Sequence, residues 1–335
     1  MSANGKSKSP AVGLDVGTSR IVIARKTNDG YGFVSQLNAF VDVPFSRMTE
    51  KTLQKEGIPY TRKNGGLVVH GNESVRFAEL LGLELRRPMT GGILNPGEPE
   101  STEVIRALVE SMVGEEDGAG RPLFFSVPAP PIDGEANVTY HEAAIRDLLT
   151  AKGFDVHGIN EGLAVVYGEL EDSNFSGIGV SCGGGLCNVC VTYLSVPVLN
   201  FCVPKAGDYI DRSAAAVTGE IPTRVRLEKE SAFHFNGSFP NSVHQAITVY
   251  YDDMIKSLME AMRKAFTTAS NLPKFNRPLP LVLSGGTAMP AGFAERFEKA
   301  LRKENLPIQV SEVRMSQTPL ESTAKGALVA ALAEI

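Results

Sequence analysis

Two short stretches carry residues that could grip an anion. AVGLDVGTSRIVIARK, residues 11–26, alternates apolar residues on both sides of Gly17-Thr18-Ser19. GIGVSCGGGLCNVCVTYLSV, residues 177–196, does the same around Gly183-Gly184-Gly185. Each reads as strand, tight turn, strand. A glycine-rich turn can aim several backbone N–H groups at one point with no side chain in the way, and such a concavity binds anions. Two of them facing across a cleft would hold a row of phosphates from both sides. Asp15, just ahead of the first turn, stands where a carboxylate could hold a hydrated Mg²⁺. Taken singly, either hairpin reads more simply as a plain structural turn.

The elements that must position these turns are helices and buried strands. Residues 101–113 place Val104, Ile105, Leu108, Val109 and Met112 at helical spacing, with Gly114 as the stop. Residues 121–128 read as a buried strand, and 139–152 as a helix carrying Ala144, Ile145, Leu148 and Leu149. The longest helical pattern runs over 242–270, where Asp252 with Lys256 and Glu260 with Lys264 form four-residue charge pairs. A short apolar strand at 279–286, a helix from about Pro290 and a small-residue helix at 320–333 complete the chain. Residues 46–66 predict a mobile surface excursion. A glycine hairpin thus occurs once in each half, which predicts a duplicated α/β domain around a cleft.

The 335 residues are 43% hydrophobic with a formal net charge of −5, enough for one large core or two ordinary ones. That balance argues against broad electrostatic binding of nucleic acid. No apolar run approaches the length of a membrane helix, and Met1 to Pro10 lacks the apolar centre of a secretory signal, so a disordered tail and a cytoplasmic location are expected.

The order of motifs resembles that of the actin-like ATPases, a family that includes the heat-shock chaperone ATPase domain and the sugar kinases. GLDVGTSRIVIA, 13–24, looks like the family's first phosphate motif, and INEGLAVVYG, 159–168, its first connecting helix. GIGVSCGGGLCNVCV, 177–191, resembles the second phosphate motif. LVLSGGTAMPAGF, 281–293, resembles the adenosine motif, and STAKGALVAAL, 322–332, the second connecting helix. ELRRPMTGGILNP, 84–96, is similar to a segment of the bacterial actin MreB, and GDYIDRSAAAV, 207–217, to the motif after the second phosphate hairpin. The resemblance implies duplicated actin-like (ribonuclease H-like) domains. The first would span 11–158 and 320–335, with a mobile subdomain at about 27–85. The second would span 159–319, with a reduced mobile subdomain at about 219–275. It also implies that ATP or ADP with Mg²⁺ is held by Asp15, Gly17, Thr18, Ser19, Gly183, Gly184, Gly185, Gly207, Asp208, Gly285, Gly286 and Thr287. A Glu–Lys pair on the adenosine would map to Glu228 and Lys229.

The pattern departs from the family at the catalytic positions. The second phosphate motif normally begins with an aspartate, and Ser181 stands there. The glutamate that would position the attacking water in MreB aligns with His141, with Glu142 beside it. A histidine near pKa 6.5 could act as a base, although a surface-helix histidine is the simpler reading. Phosphoryl transfer depends on placing metal and water, so slow hydrolysis is expected.

Competing constellations are weaker. Gly179 to Gly183 matches a serine-hydrolase elbow, but that motif needs a helix after the turn, and a β-rich run follows. Cys182, Cys187, Cys190 and Cys202 have iron–sulfur-like spacing, yet buried thiols on a hairpin explain them more simply. The loop FHFNGSF, 233–239, would either reach a neighbouring subunit or membrane or pack on the second domain. The leading expectation is a bacterial, cytoskeletal, self-assembling filament protein. The alternative is a nucleotide-sensing scaffold resembling FtsA or PilM, which would bind a protein partner as an adaptor.

Overall fold

The alternation around the first glycine turn folds as a hairpin, β1 (Val12–Val16) with β2 (Arg20–Thr27), in register from Gly13↔Ala24 to Val16↔Ile21. The computed structural model describes residues 11–334 apart from 64, 115–117, 119, 134–137 and 270–271; the tail expected at 1–10 lies outside the described residues. β3 (Gly30–Leu37) continues the meander as an edge strand. The chain then leaves the sheet. β4 (Phe40–Pro44), α1 (Arg47–Glu56), β5 (Tyr60–Lys63), β6 (Gly66–His70) and α2 (Asn72–Leu81) build a small three-stranded subdomain around Val41, Leu53, Leu67 and Val69. The polar stretch read as a mobile excursion is therefore folded. Ser46 caps α1 by accepting from Met48 and Thr49 N–H, and Gly57 closes it in the left-handed conformation.

The short ribbon β7 (Met89–Thr90) and β8 (Ile93–Leu94) leads back to α3 (Ser101–Val113). β9 (Pro122–Val127), α4 (Val138–Thr150) and β10 (Asp155–Asn160) follow, and β9 pairs parallel with both β1 and β10. The first sheet thus has the order β10-β9-β1-β2-β3.

The second half repeats this plan. After α5 (Glu161–Glu169), β11 (Gly177–Cys182), β12 (Cys187–Tyr193) and β13 (Val196–Val203) form the second meander. α6 (Gly207–Thr218), α7 (Pro222–Ser231) and α8 (Ser242–Thr268) supply the inserted region, helical throughout its described elements. β14 (Leu279–Ser284), α9 (Phe293–Leu301) and β15 (Val310–Met315) complete a sheet of order β13-β12-β11-β14-β15. α10 (Ser322–Ala333) crosses back to the first sheet.

α5 packs on the second sheet and α10 on the first, and the two helices cross between them. Glycine makes the crossing close: a Cβ added to Gly326 would stand 1.7 Å from the Ala164 carbonyl oxygen, and one added to Gly168 would stand 2.7 Å from that of Ser322. Small residues here set the distance between the two halves.

Two sequence expectations fail through tertiary contact. Asp252 pairs with Arg296 of α9 rather than with Lys256, and Lys264 reaches Asp133 rather than Glu260. In the 233–239 loop, Phe233 stacks on Tyr251 and meets Phe235 edge to face, and Phe235 also packs on Tyr251 and Phe293. These two phenylalanines belong to the core of the second half, while Phe239 is exposed.

Candidate functional site

The two glycine turns meet across a cleft of about 550 Å³. Gly17 N–H closes the first turn on the Arg20 carbonyl, and Gly183 N–H closes the second on that of Leu186, each at 2.9 Å. The turns approach so closely that side chains cannot fit. A Cβ on Gly184 would lie 2.5 Å from Ser19 Oγ, and one on Gly185 would lie 2.6 Å from Thr18 Oγ1 and 2.2 Å from Gly92 N. Among the described residues, no protein acceptor engages the N–H groups of Thr18, Ser19, Gly184 or Gly185. Four donors on two facing turns are thereby left for whatever enters the cleft.

Two carboxylates lie at the cleft floor. Asp15 accepts from Ser126 Oγ at 2.6 Å, and Ser126 in turn accepts from Val16 N–H. Burial pushes the Asp15 carboxyl up to about 6. The second is Glu161, at the first turn of α5. It accepts from Ser181 Oγ at 3.2 Å and from Asn188 Nδ2 at 2.9 Å. Burial first, and then the nearby Asp15, raise it to about 8. Two buried carboxylates that repel each other form a donor set that a hard divalent cation would relieve, so these residues fit Mg²⁺.

The far end of the cleft is built by the second half. Gly207, Asp208, Asp211, Lys229, Glu230, Tyr251, Gly285, Gly286 and Thr287 line it with the Phe233 ring. Lys229 Nζ sits 2.6 Å from Asp211 Oδ1 and donates to the Gly207 carbonyl. Thr287 Oγ1 donates to the Gly183 carbonyl, and Tyr251 OH donates to the Thr287 carbonyl, so the third glycine turn is tied to the second. Gly285, at φ +91°, has no room for a Cβ against the Cys182 backbone.

Of the residues singled out in the sequence, Asp15, Gly17, Thr18, Ser19, Ser181, Gly183, Gly184, Gly185, Gly207, Asp208, Lys229, Gly285, Gly286 and Thr287 all line this cleft. Glu228 does not. It points to the start of α8, where Asn241 and His244 hold it, and Glu230 takes the place at the cleft. His141 and Glu142 are also absent from the lining. His141 is no surface residue: it is buried in α4, both ring nitrogens lack a partner among the described residues, and burial drives its pKa down to about 4. Glu142 pairs with Arg146 one turn on. A second carboxylate does line the cleft, that of Glu161. The sequence shows it only as an acid at a helix start, because its partners Ser181 and Asn188 lie on other strands.

No functionally curated protein is similar enough in sequence to count as a relative. Solved structures do share the architecture. A MamK double helical filament superposes with a TM-score of 0.70 at 19% identity, covering 97% of this chain and 98% of that one. A non-polymerising MamK mutant bound to AMPPNP gives 0.57 at 20% identity, covering 97% and 100%. This likeness establishes the actin-like fold. The Volactin family profile matches residues 11–331, and the chain belongs to that family.

Proposed function

We propose that the protein binds ATP with Mg²⁺ in this cleft, hydrolyses it slowly and assembles head to tail into filaments. The observation that carries the nucleotide half is the set of unengaged N–H groups on Thr18, Ser19, Gly184 and Gly185. They face one another across a cleft of about 550 Å³ whose floor holds two carboxylates. The N–H groups would take the phosphate oxygens, Asp15 would hold the metal, and the Lys229–Glu230 side of α7 with the Gly285–Thr287 turn would hold the nucleoside. Mg²⁺ would neutralise phosphate charge. Glu161, held by Ser181 and Asn188 beside Asp15, would orient the attacking water, and Ser181, uncharged where the family has an aspartate, favours slow turnover. MamK, bound to AMPPNP in one relative structure and filamentous in another, supports both halves by fold analogy.

Melting of the protein with millimolar ATP or ADP and Mg²⁺ tests binding, since a ligand of the native state raises its stability by mass action. No shift with either nucleotide ends the reading. Electron microscopy with ATP tests assembly: heterologous contacts that do not close produce filaments. A monodisperse particle would instead favour the adaptor alternative, whose support is Ser181 in place of a carboxylate.

A further inference from the structure

Adjacent arginines at 86 and 87 serve opposite halves of the molecule. Arg86 anchors its segment to the first half: its backbone exchanges hydrogen bonds with Phe40, and its guanidinium grips Glu98 through two nitrogens and also pairs with Asp42. Arg87 reaches the other way. Its Nη1 lies 3.2 Å from Asp208 Oδ1 on α6 and donates to Ser19 Oγ at 3.4 Å. Both members of the ion pair are mostly buried, with 17% of each side chain exposed. Asp208 N–H donates to the Gly184 carbonyl at 2.7 Å, so the acid is bonded directly to the second phosphate turn. The Arg87–Asp208 contact therefore spans the halves at the two turns. Asp208 lines both the cleft and a side cavity of about 350 Å³ that Arg87 and Arg226 also line. Burial, and then the like charge of Arg226, pull the Arg87 pKa down, while the charges of Asp208, Glu230 and Asp211 act the other way.

We propose that the Arg87–Asp208 pair is a latch across the phosphate end of the cleft, whose opening limits the escape of bound nucleoside triphosphate. The inference rests on the nucleotide reading of the same cleft and makes Arg87 a positioning residue. The halves must part for a nucleotide held between the turns to leave, so breaking a tie between them acts on its release.

The test is release of N-methylanthraniloyl-ATP from Mg²⁺-loaded protein, chased with excess ATP. Arg87→Ala is expected to release it about tenfold faster. Asp208→Asn should do the same, the double variant no faster than the faster single, and Arg87→Lys should fall between. Unchanged release from Arg87→Ala, or additive effects in the double variant, overturns the latch. Amide hydrogen exchange over Met89–Leu94 in the nucleotide-free protein reads the latch separately. Faster exchange in Arg87→Ala supports the pair as a tie between the halves, whereas a wild-type protein that binds no nucleotide sinks the nucleotide reading and, with it, the pair's part in release. Unchanged exchange overturns the latch.

Discussion

Ser181 Oγ donates a hydrogen bond of 3.2 Å to Glu161 Oε2 at the floor of the cleft. One residue comes from the strand leading into the second glycine turn and the other from the first turn of α5. A serine at 181 thus supports a carboxylate instead of replacing one. A neutral donor lowers the cost of burying Glu161, whereas a second charge would raise it.

Glu161→Gln keeps the shape and an acceptor for Ser181 and Asn188 while removing the titrating group. We expect ATP turnover to fall by about a hundredfold or more, the scale of a lost general base, with nucleotide affinity little changed. Steady-state phosphate release and ATP titration measure the two. Full turnover in Glu161→Gln would exclude Glu161 from the chemistry.

Ser181→Asp places a third acid beside Asp15 and Glu161 and removes the donor. The nucleotide-free variant should melt below wild type, and Mg²⁺ with ATP should recover more of the loss than ATP with EDTA. Equal melting with and without metal would mean that the introduced charge escapes to solvent and that the floor is less enclosed than its burial indicates.

The His141 ring is buried with no partner for either nitrogen among the described residues, and burial lowers its pKa from the usual 6.5 to about 4. Between those values the unfolded chain binds the proton and the folded chain does not. Its contribution is full above pH 6.5 and is lost as pH falls toward 4. His141→Phe should remove that part of the slope, measured as the difference in urea unfolding free energy between variant and wild type at pH 7 and pH 5. His70, lowered to about 4 by burial as well, keeps its own share of the slope. At pH 7 the variant should be within about 1 kcal/mol of wild type or more stable, since two unsatisfied nitrogens are removed. A parallel pH dependence in the two proteins would show that the ring is solvated.

What the sequence made legible was local. Gly17-Thr18-Ser19 and Gly183-Gly184-Gly185 lie between alternating strands, and a turn of that kind has few other foldings. His141 stands one turn before Ile145 and two before Leu148, so its burial was readable from the helical stripe. That Glu228 turns away from the cleft was not, because the facing of α7 is fixed only when His244 and Asn241 claim Glu228. The place of Glu161 at the cleft floor was hidden for the same reason: its partners Ser181 and Asn188 lie on strands that pair farther along the chain. The loop phenylalanines found their partners, Tyr251 and Phe293, only in the assembled core.

The α5–α10 crossing offers the sharpest test of how the fold governs the site. A methyl at Gly326 would stand 1.7 Å from the Ala164 carbonyl oxygen and 2.4 Å from its carbon. Both are backbone atoms and cannot rotate aside, so Gly326→Ala must move one helix. Helix propensity favours alanine by about 1 kcal/mol, while overpacking a close crossing costs about 1–3 kcal/mol and more where backbone is met; packing should win and the protein should be less stable. Because α5 rides on the second sheet and α10 on the first, parting them also parts the two glycine turns, which now approach within van der Waals reach. Nucleotide affinity should therefore fall in Gly326→Ala although the residue is absent from the cleft lining. Calorimetric melting and ATP titration read the two effects. Reduced stability with unchanged affinity would show that the crossing holds the fold without setting the cleft, and unchanged stability would show that the helices lie farther apart than they do here.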